Sequence, residues 1–113
     1  MKKIEAIIRP EKVTVVKDAL AEAGFPGLNV VSVTGRGVQK GIVHMGRTGQ
    51  PVVIDMLPKV KMELVVVDAD AERACQVIID TARTGEIGDG KIFISNVEEV
   101  VRVRTGERGE KVV

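Results

Sequence analysis

The sequence contains few of the residues that build several common kinds of functional site. Its 113 residues include one cysteine, one histidine, two phenylalanines, and no tyrosine or tryptophan. A single cysteine excludes an internal disulfide and fits a reducing compartment, so we expect a cytoplasmic protein. The scarcity of aromatic rings argues against a surface on which nucleobases stack. One histidine and one cysteine also argue against a transition-metal site.

Long hydrophobic runs and a strong net charge are missing as well. The apolar stretch that follows Lys2 and Lys3 ends at Ile8, which is too short for a signal-peptide core or a membrane span. The formal net charge is +1, so the chain has no general attraction to nucleic acid or to membranes. We therefore expect no nucleic-acid partner and no membrane insertion, and any anion site must be local.

The hydrophobic periodicity predicts one α+β domain over residues 1–113. Helical spacing of apolar residues predicts helices at 11–23 and 70–82. Apolar, β-prone runs predict strands at 2–8, 28–35, 60–67, 91–95 and 99–104. The order β-α-β-β-α-β, with an additional strand near the end, is that of the ferredoxin-like sandwich. Residues 37–58 form a long connection between strands 2 and 3, and residues 105–113 form a polar tail.

The third strand predicts that the sheet is covered on both faces. Alternate apolar residues from Val60 to Val66 share one face, while Val65 and Val67 point to the other. Two helices cover only one face of such a sheet. In a chain this short, other subunits are the expected cover for the second face, so we predict an oligomer.

Residues 84–91, with the sequence Thr-Gly-Glu-Ile-Gly-Asp-Gly-Lys, form the first candidate site. Three glycines in six residues allow tight turns and a close approach of the backbone to a ligand. Exposed backbone N–H groups in such a loop can hold phosphate, and Lys91 adds a cation. The alternative is a plain turn between a helix and a strand, and the spacing alone does not decide between the two.

Two further patterns are weaker signals for anion binding. On a strand, Arg102 and Arg104 would share one face about 7 Å apart, which suits neighbouring phosphates. Taken alone, a solvated strand face is the better interpretation of these two arginines. Gly35 and Gly37 follow a strand, but the dinucleotide fingerprint is incomplete and no helix follows.

The long connection at 37–58 is the remaining candidate for function. Connections longer than about 12–15 residues are usually functional or disordered. This one mixes apolar residues with glycine, so we interpret it as a protruding segment that folds against a partner. The alternative is a β-hairpin, because residues 52–54 favour a strand.

Cys75, among apolar helix residues, is expected in the core. We find no acid–base pair and no nucleophile–base pair, so we expect no enzymatic activity.

Together these motifs resemble the PII family of nitrogen signal-transduction proteins over residues 1–109. Residues 84–93 resemble the B-loop of that family and residues 102–107 its C-terminal stretch, with shorter matches at 7–10, 39–41 and 57–59. The resemblance implies a trimer of ferredoxin-like subunits, either a homotrimer or a trimer mixed with a paralogous subunit. It also implies that ATP or ADP binds in the clefts between subunits.

The resemblance further implies roles for individual residues. Mg²⁺ would bridge ATP and 2-oxoglutarate, with Gln39 as the metal ligand. Residues 37–58 would correspond to the T-loop, which contacts target proteins. The phosphates would be held by Gly88, Asp89, Gly90, Lys91, Arg102 and Arg104, with Gly35 and Gly37 close to the nucleotide. The 2-oxoglutarate would be held by Gln39, Lys40, Gly41 and Lys59.

Some features depart from the best-known members of the family. The absence of tyrosine excludes control by tyrosine uridylylation, and Val38 stands where an arginine is usual.

Residues 9–12, 23–26 and 35–37 resemble the nitrogenase-associated PII-like proteins, which inhibit dinitrogenase until 2-oxoglutarate and ATP relieve the inhibition. We expect nitrogenase regulation in response to ammonium. The alternative is a general PII regulator of an ammonium transporter or of a nitrogen-assimilation enzyme. A metal-binding trimer and a small nucleotide-processing enzyme fit the residues less well.

Overall fold

The computed structural model describes residues 1–36, 42–45, 51–54 and 56–113. Short 3₁₀ turns lie at Pro10–Lys12, Asp68–Asp70 and Glu110–Val112. The strands and helices are β1 (Lys2–Ile8), α1 (Val13–Glu22), β2 (Asn29–Gly35), β3 (Ile42–Met45), β4 (Pro51–Ile54), β5 (Leu57–Val66), α2 (Ala71–Ala82) and β6 (Lys91–Asn96).

Four of the strands form one antiparallel sheet in the order β2-β5-β1-β6. Ile4 in β1 lies opposite Leu64 in β5 and opposite Ile94 in β6. α1 and α2 pack against each other and against one face of this sheet. The arrangement confirms the predicted ferredoxin-like α+β fold. Among the described residues, no helix has the length and apolar character needed to cross a membrane.

The core forms where the alternating face of the sheet meets the apolar stripes of the helices. The even-numbered residues from Ile4 to Ile8 in β1 and from Val60 to Val66 in β5 are buried, as the alternation predicts. Val16 and Leu20 of α1 and Ile78 of α2 cover them. The apolar positions predicted for the second helix are all buried: Ala71, Ala74, Ile78 and Ala82.

The opposite face of the sheet carries a row of ion pairs. The ammonium of Lys3 lies 2.9 Å from a Glu5 carboxylate oxygen and 3.6 Å from one of Glu63. Lys61 lies 3.0 Å from the other Glu63 oxygen. Within one chain this half-exposed face is therefore neutralised locally. The structure is of a single chain, so the oligomer stays a prediction.

The segment between β2 and β5 contains the hairpin that the sequence left open as an alternative. β3 and β4 pair antiparallel in a second, two-stranded sheet, with Ile42 opposite Ile54. The predicted site residues Gly37, Gln39, Lys40 and Gly41 lie outside the described residues.

The strand predicted at 99–104 is wrong. Only a single bridge joins Val101 to Arg108, and the chain turns back on itself between them. The amide of Gly106 donates to the Arg102 carbonyl at 2.8 Å, and the amide of Arg102 donates to the Glu107 carbonyl at 2.8 Å. Gly106 has a positive φ of 71°, which a glycine adopts without strain. Arg102 and Arg104 therefore do not share a strand face.

Candidate functional site

A loop of residues 84–90, here called the glycine loop, connects α2 to β6 and is closed by the side chain of Asp89. One carboxylate oxygen accepts the backbone N–H groups of Thr84 and Gly85, each at 2.9 Å. The other accepts the Thr84 hydroxyl and the Nε–H of Arg9, the latter at 3.1 Å. Hydrogen bonds from these donors, of which that from the Thr84 hydroxyl contributes most, hold the pKa of the Asp89 carboxyl well below its usual range. The carboxylate thus stays charged at neutral pH and fixes the loop.

Two cations from neighbouring strands hold the backbone of the glycine loop. Arg9 donates through Nη2 to the carbonyl of Ile87 at 2.9 Å. Lys59 in β5 donates through Nζ to the carbonyl of Gly88 at 2.6 Å. Both bonds tie consecutive loop carbonyls to the sheet.

The register of the sheet explains why these side chains meet. Ile8 lies opposite Val60, and Ile7 lies opposite Lys91. Continuing the first register by one step and the second by two places Lys59, Arg9 and Asp89 side by side across the ends of β5, β1 and β6. Arg9 itself has an extended backbone, with φ of −64° and ψ of 138°. The row is a consequence of strand pairing and not of the loop sequence alone.

The loop contains three glycines whose backbone conformation other residues rarely adopt, and Gly85 has a φ of 90°. Gly88 and Gly90 each have a φ of 103°. At Gly90 a Cβ atom would lie 1.7 Å from the carbonyl oxygen of Ile7. No side chain fits at that distance, so the close approach of the loop to β1 requires glycine at this position.

The geometry leaves donors in the glycine loop that suit an anion. In the described part of the chain, the N–H groups of Gly88 and Asp89 make no backbone hydrogen bond. Lys91, exposed at the start of β6, makes no ion pair with any described residue. Because the Asp89 carboxylate is already hydrogen-bonded and would repel phosphate, Asp89 can serve an anion only through its backbone. Backbone N–H groups, glycines and a lysine are the usual components of a phosphate loop.

One chain brings together only part of the predicted nucleotide site. Gly88, Asp89, Gly90 and Lys91 lie in or beside the glycine loop, and so does Lys59, which was predicted to bind 2-oxoglutarate. The remaining described residues stand elsewhere. Arg102 pairs with Glu107 at 3.0 Å, Arg104 is exposed, and neither bonds to the loop within the described ranges. Gly35 ends β2 opposite Leu57, and a Cβ atom there would have no neighbour within 4 Å.

Sequence reasoning missed Arg9 and Thr84 as residues that shape the site. Arg9 was noted only within the motif 7–10, because its contact with Asp89 depends on the pairing of β1 with β6. A usable signal existed for Thr84, since a hydroxyl five residues before an aspartate in a glycine-rich turn can close that turn.

A cleft of about 460 Å³ lies between α2 and the sheet, next to the glycine loop. Its walls include Ile8, Cys75, Ile79 and Gly90. Cys75 is half-buried on this cleft, so its predicted place in the core is wrong. Burial raises the pKa of the Cys75 thiol, and the Glu72 carboxylate adds to the effect.

The described residues contain no cluster of histidine, cysteine and carboxylates that could hold a metal.

Comparison with known proteins matches residues 1–107 to the family described as nitrogen regulatory protein P-II. The chain is 56% identical over 113 residues to nitrogen regulatory protein P-II 2 of Methanothermobacter thermautotrophicus, covering 100% of this chain and 97% of that protein. It is 55% identical over 109 residues to the P-II protein of Rhizobium meliloti, covering 96% of each chain. It is 52% identical over 113 residues to that of Rhodobacter capsulatus, covering 100% of each. The chain therefore belongs to the P-II family of nitrogen regulatory proteins, which are regulators of target proteins in signal transduction and not enzymes.

Proposed function

We propose that this protein binds ATP or ADP through the glycine loop, binds 2-oxoglutarate beside it, and reports both to a target protein in the cytoplasm. The observation that carries the proposal is the construction of the loop. Asp89, Arg9 and Lys59 fix its backbone, while the N–H groups of Gly88 and Asp89 have no backbone partners among the described residues. A preorganised group of donors of this kind suits phosphate oxygens.

The incomplete site within one chain supports a nucleotide position between subunits. Arg102 and Arg104 have no bond to the glycine loop in the described part of the chain. An adjacent copy can bring a second set of these arginines, and Gly35, toward the loop of its neighbour. We propose a trimer, either of this chain alone or mixed with a paralogous subunit, with a nucleotide in each cleft.

The effector 2-oxoglutarate requires additional cations, because a dianion beside a triphosphate is repelled. We assign Mg²⁺ to this role, with Gln39 as a ligand and with Lys40, Gly41 and Lys59 around the effector. Lys59 already contacts the carbonyl of Gly88, so an effector bound by Lys59 would lie beside the phosphate loop. Binding of the effector then depends on the bound nucleotide, and linkage makes this coupling reciprocal.

We assign the output to the segment 37–58, which would correspond to the T-loop of the family. The chain has no tyrosine, so this segment must act without tyrosine modification. The leading target is dinitrogenase, inhibited under ADP and low 2-oxoglutarate. The alternative target is an ammonium transporter or a nitrogen-assimilation enzyme.

Calorimetric titration of 2-oxoglutarate in the presence of Mg-ATP, of Mg-ADP, and of no nucleotide tests the ligand assignment. Binding only with Mg-ATP is expected. Nucleotide binding without any 2-oxoglutarate response would remove the effector and the nitrogenase assignments together.

A pull-down of dinitrogenase under Mg-ADP, reversed by Mg-ATP with 2-oxoglutarate, tests the target. Capture of the transporter but not of dinitrogenase would favour the alternative.

A further inference from the structure

We propose that Arg9 and Lys59 are positioning residues for phosphate binding, which orient the N–H groups of the glycine loop without touching the phosphate themselves. For Lys59 this role is additional to contact with the effector. The inference rests on the proposed nucleotide function and concerns residues that lie behind the loop and not in the anion site.

The argument begins with the geometry of the peptide unit. In the described residues every peptide bond is trans, so the carbonyl and the N–H of one peptide unit point in opposite directions. Arg9 holds the carbonyl of Ile87, which directs the N–H of Gly88 away from Arg9. Lys59 holds the carbonyl of Gly88, which directs the N–H of Asp89 away from Lys59. Two successive N–H groups are thus turned outward by two cations on the inner side.

The anchors are rigid because the sheet positions them. Arg9 directly follows β1, and Lys59 lies in β5 opposite Val33 of β2. About four-fifths of the Arg9 side chain is shielded from solvent, since its exposed fraction is 21%. Donors fixed by a rigid scaffold need no reorganisation when an anion arrives, and this is the condition under which they contribute most to affinity.

Arg9 makes two bonds in different directions, one to the Asp89 carboxylate and one to the Ile87 carbonyl. The planar guanidinium supplies both donors in a fixed fork, whereas a lysine ammonium is a single point of charge. Arg9→Lys therefore keeps the charge and loses the fork, and Arg9→Gln loses both. Lys59 makes one of its three possible hydrogen bonds to Gly88, which leaves two donors for a carboxylate.

The test measures ADP affinity by calorimetry, without 2-oxoglutarate, for the wild-type protein and for Arg9→Lys, Arg9→Gln and Lys59→Met. The dissociation constant should rise about tenfold in Arg9→Lys, which keeps the charge but cannot hold both loop acceptors with a fork, and further in Arg9→Gln, which loses the charge as well. Lys59→Met should also raise it about tenfold. The control is Arg73→Gln, at the start of α2 and at the far end of that helix from the loop, which should leave ADP affinity unchanged.

A spectroscopic readout separates positioning from general destabilisation. In ligand-free Arg9→Gln, the amide NMR signals of Gly88 and Asp89 should shift or broaden, while those of core residues such as Ala74 and Ile78 stay in place. A merely structural role would instead move core signals and lower the melting temperature without selecting the loop.

Three outcomes would count against these assignments, and they differ from one another. If wild-type protein binds no nucleotide, the proposed function fails and this inference fails with it. If wild-type protein binds ADP and a folded Arg9→Gln binds it within about twofold of that affinity, only the inference is overturned. If Arg9→Gln does not fold, Lys59→Met decides, because unchanged ADP affinity in that variant contradicts the positioning role.

Discussion

Replacing Gly90 by alanine should disrupt the glycine loop more than the same replacement at Gly85 or Gly27. The new Cβ would lie 1.7 Å from the carbonyl oxygen of Ile7 and 2.8 Å from its carbonyl carbon. To reach even 3.0 Å from the oxygen, the two segments must separate by about 1.3 Å, the difference between 3.0 and 1.7. Ile7 lies in β1, which is held between β5 and β6, so the loop must move.

The magnitude follows from two contributions. A non-glycine residue at this φ costs about 1–3 kcal/mol. Moving the loop also disturbs the part-buried hydrogen bonds of Asp89 and Lys59, and their loss adds about 1 kcal/mol. We expect the free energy of unfolding to fall by about 2–4 kcal/mol and ADP binding to be lost.

Chemical denaturation at fixed protein concentration is the assay, since the midpoint of an oligomer depends on concentration. Gly85→Ala isolates the backbone effect, because Gly85 has a φ of 90° but open space around a Cβ atom. Gly27→Ala, with open space and no positive φ, should change stability by less than about 0.5 kcal/mol. A Gly90→Ala protein as stable as Gly27→Ala would refute the close approach of the loop to β1.

Three further predictions follow. Gly35→Ala should weaken ADP binding without lowering the denaturation midpoint of the ligand-free protein, because a Cβ there meets no described atom of its own chain within 4 Å; unchanged affinity would remove Gly35 from the site. Asp89→Asn should destabilise the protein at neutral pH. Because the folded pKa of Asp89 lies below the unfolded value of about 3.9, its contribution is present above that value and is lost as pH falls through the folded pKa, so the two denaturation curves should converge in acid. Arg73→Ala should cost about 1 kcal/mol, because it removes the guanidinium 4.3 Å from the Phe25 ring centroid and its bond to the Ala23 carbonyl, and it should leave ADP affinity unchanged.

Much of the fold was predictable because a strand or helix that is buried on one face carries apolar residues at a regular spacing. The alternation in β1 and β5 and the apolar stripe of α2 correspond to the residues that are buried. The strand at 99–104 was not predictable from the same rule. Alternating Val101 and Arg102 favour a strand, but Gly106 and the Thr105 hydroxyl favour a turn, and no strand among the described residues pairs with the segment.

The candidate site was predictable in its loop and not in its supports. The glycines and Lys91 are contiguous in the sequence, so their pattern indicates anion binding. The contacts of Arg9 and Lys59 with the loop join residues 78 and 29 positions apart, and they exist only once the strand register is known. The position of Cys75 was also not predictable from the sequence, because an apolar position on a helix can face a cleft as well as a core.

The central claim is that the glycine loop presents N–H groups to phosphate, and amide NMR of the labelled wild-type protein during ADP titration tests it most directly. The account predicts that the largest shifts occur at Gly88, Asp89, Gly90 and Lys91, with smaller changes in α2. Largest shifts along the cleft at Cys75 and Ile79, with the loop signals unmoved, would contradict it.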